Sequence, residues 1–150
     1  MIEDQSTVLL VEDEPLIRLF ISDLLEDAGF KVVEAANSME ALTILEAGLP
    51  VDVFLTDVDI PFGCNGFDLA WQVHGRWQET EILIMSGRQW PSRGDLPPGA
   101  AFLAKPCPND AIVSHVISAA ERTKRIRNHG GKSNVSKELA TNVVPFPKTG

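Results

Sequence analysis

Residues 52–61 read Asp52-Val53-Phe54-Leu55-Thr56-Asp57-Val58-Asp59-Ile60-Pro61. The run from Val51 to Thr56 predicts a strand that leads straight into Asp57, and Pro61, Gly63 and Gly66 mark the loop beyond it. Upstream, Thr7-Val8-Leu9-Leu10-Val11 is short and continuously apolar, as expected of a strand buried on both faces of a parallel sheet. Between these two, a helix opens near Glu14-Pro15, with proline suited to the first helical position. Its apolar residues Leu16, Ile17, Phe20, Ile21, Leu24, Leu25 and Ala28 follow helical spacing, and Gly29 stops it. Lys31 to Ala35 reads as a second strand, followed by a helix capped by Asn37 or Ser38 and ended by Gly48.

The alternation continues downstream. A third helix covers roughly Phe67 to Trp77, Glu81 to Met85 is a fourth strand, Ala100 to Ala104 a fifth, and Pro108 opens a last helix to about Arg125. Strands alternating with helices predict an α/β fold, a five-stranded parallel sheet of order 2-1-3-4-5. One helix is missing from the rhythm. Arg88 to Gly99 carries Pro91, Gly94, Pro97, Pro98 and Gly99, a density of breakers that predicts an irregular loop in its place.

Bulk properties narrow the class. A chain of 150 residues with 44% hydrophobic and 23% charged residues has the composition of one soluble globular domain. It has no apolar run of membrane-spanning length and no signal-peptide layout at its N-terminus, which predicts a cytoplasmic protein with no membrane partner. The net charge of −8 is uneven. Residues 124–150 hold six basic side chains (Lys124, Arg125, Arg127, Lys132, Lys137, Lys148) against Glu138, which leaves 7 basic and 20 acidic residues in 1–123. An acidic body argues against nucleic-acid binding by the domain. The expected organisation is a domain over 1–127 and a flexible basic tail over 128–150. Cys64 and Cys107 fit neither a disulfide framework nor a zinc site and read as reduced thiols. His74, His115 and His129 are scattered, Trp71 and Trp77 read as packing residues, and Trp90 reads equally as a docking contact or as packing over the loop.

Four polar features fall where strands end: Glu12-Asp13, Asp57, Ser86 and Lys105-Pro106. In an open parallel sheet, ligands bind outside the carboxyl ends of the strands where strand order reverses, so these four converge on one crevice. Clustered carboxylates repel unless a cation neutralises them, and an oxygen-only donor set suits Mg²⁺. Asp57 is then placed to act as a nucleophile toward a phosphoryl group, with Lys105 and Ser86 holding phosphate oxygens.

The runs Val8–Pro15, Asp52–Pro61, Ile82–Gly87 and Phe102–Pro106 together resemble the response-regulator receiver domain of two-component signalling, over about residues 6–126. The resemblance implies a doubly wound, flavodoxin-like fold and a phosphoacceptor at Asp57. It implies Mg²⁺ held by the Glu12 and Asp13 acidic pair, the Asp57 carboxylate and the Asp59 backbone carbonyl. Ser86 and Lys105 match the residues that bind the phosphoryl group, Phe102 the switch aromatic, and Gly87 the small position that leaves the acyl phosphate accessible. Asp59 and Arg88 stand at positions that tune phosphate lifetime. The implied partners are a histidine kinase or histidine phosphotransfer protein and a downstream protein target, with no enzymatic activity beyond the domain's own phosphorylation and dephosphorylation. Two departures stand out. The Pro61–Gly66 loop is one residue longer than usual, and the missing fourth helix removes a face through which many receivers dimerise.

Two other functions compete. Phe54–Asp59 also resembles the aspartate motif of haloacid-dehalogenase-type phosphatases, with Asp57 as nucleophile and Asp59 as general acid, although the second acidic pair here precedes the motif and the lysine. A DNA-contacting regulator would use Lys124, Arg125 and Arg127, in a tail with no recognition-helix pattern.

Overall fold

The computed structural model describes residues 5–61 and 64–128, without the side chains of 127 and 128. Phe62 and Gly63 of the long loop, and the basic tail beyond Asn128, lie outside the described residues. The elements are β1 (Thr7–Val11), α1 (Pro15–Asp27), β2 (Lys31–Ala35), α2 (Ser38–Glu46), β3 (Val53–Asp57), α3 (Gly66–Arg76), β4 (Glu81–Ser86), β5 (Ala101–Ala104) and α4 (Asn109–Asn128). All five strands pair in parallel, in the order β2-β1-β3-β4-β5. This is the expected doubly wound α/β sheet.

Local chemistry sets the boundaries. Pro15 starts α1, and the chain leaves it through Gly29 at φ 100°, a conformation that costs a residue without Cβ little. At α2 the Asn37 side chain accepts the Glu40 N–H at 2.9 Å, while Glu40 Oε1 accepts the Ala36 N–H at 2.8 Å. Asn65 caps α3 by accepting the Asp68 N–H at 3.0 Å. The last helix runs to Asn128, past the end expected near Arg125.

The sheet is covered on both faces. Leu9, Val11, Phe54, Ile82, Ile84 and Phe102 point to a core shared with α2 and α3. Val8, Leu10, Val53, Leu55, Leu83 and Met85 point to the core under α1 and α4. This two-sided burial is why the strands are apolar without alternation. Helical spacing in α1 marks the helix but not its buried face. Ile21 and Leu25 are inside, whereas Leu16, Ile17, Leu19 and Phe20 face out.

Between β4 and β5, residues 87–100 form no helix or strand, as the prolines and glycines predict. The loop is nonetheless anchored. Leu96 packs on the core beside α3, Trp71 of α3 donates its indole N–H to the Gly94 carbonyl at 3.0 Å, and Ser92 N–H donates to the Asp95 carboxylate at 2.7 Å. Trp71 is therefore a rim residue with a defined bond. Trp77 packs against the core edge with the Arg76 guanidinium 4.4 Å over its ring. Both cysteines are free thiols. Among the described residues, no helix is long and apolar enough to cross a membrane.

Candidate phosphoacceptor site

Parallel register brings the carboxyl ends of β1, β3, β4 and β5 to one edge of the sheet. Asp57 is the last residue of β3 and is only 7% exposed. Its backbone is held from several sides. Thr56 Oγ1 donates to the Asp57 carbonyl at 2.9 Å, Val58 N–H to Met85 O at 3.0 Å, and Gly66 N–H to Val58 O at 2.8 Å. Gly66, the first residue of α3, lies so close to this turn that a Cβ would overlap the Asp57 carbonyl oxygen. The helix can start there only because the residue has no side chain.

Lys105 follows β5, and its Nζ lies 3.3 Å from Asp57 Oδ2 and 3.9 Å from Glu12 Oε1. One ammonium thus faces two carboxylates from different strands. Glu12 is 1% exposed. Its Oε2 accepts the Glu14 N–H at 3.1 Å, but Oε1 is buried with no hydrogen-bond partner. Its carbonyl accepts from Arg18 Nη1 at 2.7 Å, and Arg18 Nε pairs with Glu34 at 3.1 Å, which locks the turn between β1 and α1. Burial pushes the Glu12 carboxyl up to about 7, against the opposing pull of the Glu14 N–H. The Asp57 and Asp13 charges push it further up, and the Lys105 ammonium pulls it down.

Ser86 ends β4 and is buried. Its carbonyl accepts the Lys105 N–H at 2.9 Å, and its Oγ accepts the N–H groups of Gln89 at 3.0 Å and Arg88 at 3.3 Å. The hydroxyl proton stays available for a further acceptor. A Cβ on Gly87 would stand 3.4 Å from Lys105 Cβ, in van der Waals contact with the lysine stem. Arg88 is exposed. Phe102 is buried in β5, with the Trp90 ring tilted over it at a centroid distance of 5.4 Å. Trp90 is therefore packing over Phe102 while still 57% exposed.

Asp13 is exposed, and Asp59 is exposed with its Oδ1 accepting from Gln89 Nε2 at 2.6 Å. Among the described residues, no three His, Cys, Asp or Glu side chains are gathered closely enough to hold a metal ion. The donor chemistry still fits a hard cation. The acidic groups at this edge offer oxygens only, and one of them, Glu12 Oε1, is buried and unsatisfied.

Sequence reasoning missed three residues here. Gly66 carried a signal, an Asn-Gly pair directly before a helix, whose meaning is the close approach to Asp57. Arg18 and Gln89 carried none, since each acts through a contact between segments distant in sequence.

The family model for the response regulator receiver domain matches residues 8–117. Response regulator Rre1 of Synechocystis sp. is 30% identical over 141 residues, covering 89% of this chain and 59% of that protein. The sensor kinase CckA of Brucella abortus is 43% identical over 83 residues, covering 55% of this chain and 9% of the kinase. Both relatives are thus longer proteins that the chain matches in part. The crystal structure of a response regulator receiver protein from Sinorhizobium medicae superposes with a TM-score of 0.73 at 25% identity, covering 79% of this chain and 97% of that one. With the matched family, the strand order and the converging strand ends in agreement, this chain belongs to the response regulator receiver domain family of two-component signalling.

Proposed function

We propose that the chain is a phosphorylation-activated switch, accepting a phosphoryl group on Asp57 from a histidine kinase or histidine phosphotransfer protein and signalling by protein contact. The observation that carries this reading is the Lys105 ammonium set 3.3 Å from Asp57 and 3.9 Å from the unsatisfied Glu12 oxygen at the carboxyl edge of the sheet. In the reaction an Asp57 oxygen attacks phosphorus, the bond from phosphorus to the donor's imidazole nitrogen breaks, and the imidazole takes a proton. Lys105 neutralises one side of the transferred group, and the Ser86 hydroxyl donates its free proton to a second oxygen.

Mg²⁺ would be held by Glu12, Asp13, the Asp57 carboxylate and the Asp59 carbonyl. When bound it supplies charge neutralisation between carboxylates and phosphoryl oxygens. Ser86 also caps the loop that carries Trp90, and Trp90 covers Phe102. A phosphoryl group drawing on the Ser86 hydroxyl therefore pulls on the loop over the switch aromatic. Gly87, Arg88 and Asp59 line this mouth and set how long the phosphate lasts.

The donor has a surface to rest on. Leu16, Leu19 and Phe20 of α1 are exposed directly beyond Glu12-Asp13, an apolar patch at the mouth of the site. The segment of a sensor kinase that the chain matches, 9% of that protein, shows that a stretch of this kind also occurs within a kinase chain. Neither alternative gains an observation of its own. Asp59, the general acid of the phosphatase reading, has its carboxylate on Gln89, and Lys124, Arg125 and Arg127 of the DNA-contacting reading belong to the last turns of α4, with the chain beyond Asn128 outside the described residues.

The test is modification by a small phosphodonor with Mg²⁺, followed by intact mass on wild type and Asp57→Asn. One alkali-labile phosphate adduct, absent from the variant, is expected. An adduct that persists in Asp57→Asn would refute the assignment.

A further inference from the structure

The loop that replaces a helix between β4 and β5 begins with a strap across the phosphoacceptor mouth, and the strap is fastened at three points. Ser86 Oγ holds its first amides, at 3.0 Å from Gln89 N and 3.3 Å from Arg88 N. Gln89 Nε2 reaches across to Asp59 Oδ1 at 2.6 Å. Trp90 lies on Phe102 at 5.4 Å. The middle fastening is the informative one. β3 and β4 are neighbours with Asp57 paired to Met85. A bond from Asp59 to Gln89 therefore joins the two chain segments directly beyond Asp57, on the side open to solvent. It is also a short bond to a carboxylate, the stronger kind of hydrogen bond.

We infer that Gln89 is a positioning residue whose hydrogen bond to Asp59 keeps water out of line with an aspartyl phosphate and so sets the lifetime of the activated state. This rests on Asp57 being the phosphoacceptor. In hydrolysis a water oxygen attacks phosphorus opposite the Asp57 oxygen. The phosphorus–oxygen bond to Asp57 breaks with its electron pair returning to the carboxylate, and the water's proton passes to solvent. The attacking water has to enter from the mouth, because Lys105 and Glu12 occupy the inner sides. Glutamine and aspartate side chains bonded to each other narrow that entrance, whereas unbonded they swing clear. Trp90, the next residue, turns the state of the strap into a fluorescence signal.

The experiment uses the full chain, loaded by a small phosphodonor with Mg²⁺ and then freed of donor, with phosphate loss followed in wild type, Gln89→Ala, Gln89→Glu and Asp59→Asn/Gln89→Glu. Gln89→Ala is expected to take up phosphate to the wild-type level and lose it about three- to tenfold faster, the rate equivalent of one lost hydrogen bond. Gln89→Glu sets two carboxylates against each other and is expected to lose phosphate faster still. The double variant, with the amide introduced at 59 donating to the carboxylate introduced at 89, is expected to return toward the wild-type lifetime. A merely structural role predicts no such return. Wild-type decay in both single variants overturns the inference. If the wild type takes no phosphate, the phosphoacceptor reading falls, and the strap is judged on acrylamide quenching of Trp90. Quenching raised in Gln89→Glu and restored in the double variant supports it, and unchanged quenching overturns it.

Discussion

Two glycines of α3 offer a stringent test of how the Asp57 turn is held. Gly66 opens the helix and Gly75 lies near its end. A Cβ built on Gly66 overlaps the Asp57 carbonyl oxygen and stands 2.7 Å from Val58 Cα and 2.9 Å from the Asp57 carbonyl carbon, whereas one on Gly75 meets nothing within 4 Å. All three atoms facing Gly66 are main chain, at the end of a central strand tied to β4 through Val58 N–H and Met85 O. They cannot rotate away as a side chain would. Overpacking of this kind costs about 1–3 kcal/mol, and rigid partners place Gly66→Ala at the top of that range, about 3 kcal/mol. Gly75→Ala in open space removes backbone freedom from the unfolded chain and is expected to stabilise by about 0.5–1 kcal/mol. The same chemical change in one helix therefore separates two variants by roughly 4 kcal/mol, a large part of a domain stability of about 5–15 kcal/mol. Urea unfolding at matched pH measures it, with the midpoint moving and the slope unchanged. Phosphodonor labelling of Gly66→Ala should also slow, because relief of the clash moves Asp57 away from Lys105. A Gly66→Ala variant as stable as Gly75→Ala would refute the packing described for the Asp57 turn.

Other perturbations probe the charges and the surfaces. The Glu12 carboxyl is raised to about 7 in the folded chain, so the folded state binds more protons than the unfolded one between its ordinary value and about 7. That contribution to stability is present at low pH and lost as pH rises through about 7. In chelator, Glu12→Gln should flatten the fall in urea stability between about pH 4.5 and pH 7, and an unchanged slope would contradict the burial argument. Lys105→Ala leaves Glu12 and Asp57 facing each other without their ammonium, and should steepen the same fall while abolishing the response of Trp90 fluorescence to phosphodonor. Phe20→Glu should slow transfer from a phosphorylated histidine donor protein while leaving labelling by a small phosphodonor at the wild-type rate; equal slowing of both would place the defect in the fold and not in docking. Trp71→Phe removes the indole bond to Gly94 and should speed tryptic cleavage after Arg93 with little change in global stability, since about 1 kcal/mol of local anchoring is lost.

Much of the architecture was legible because burial on both faces leaves its mark on every strand. Val8 to Val11 and Val53 to Leu55 are apolar without alternation, which only a covered parallel sheet tolerates. The irregular loop was legible for the opposite reason, since Pro91, Gly94, Pro97 and Pro98 deny a helix its donors and dihedrals. Strand ends named Glu12, Asp57, Ser86 and Lys105, because a parallel sheet with short crossovers leaves those ends on one edge. What the sequence withheld is pairwise. Helical spacing in α1 could not say that Leu16 and Phe20 face solvent, since exposed apolar residues recur there in the same period as the buried Ile21 and Leu25.

Gln89 shows why such pairs stay hidden and why they matter. Nothing in Ser86-Gly87-Arg88-Gln89-Trp90 singles out the glutamine, and its partner Asp59 is 30 residues away in sequence. Only the pairing of β3 with β4 makes them neighbours. A helix after β4 would satisfy its own first amides partly by a cap. Here the broken segment takes that cap from Ser86, which ends β4 at the same sheet edge as Asp57. Loss of the helix thus does more than remove a surface. It ties the backbone over Phe102 to the same hydroxyl that a phosphoryl group on Asp57 would draw on, since the oxygen accepts the loop amides while its proton is free for a phosphoryl oxygen, so that loop order and phosphate occupancy are coupled through one side chain.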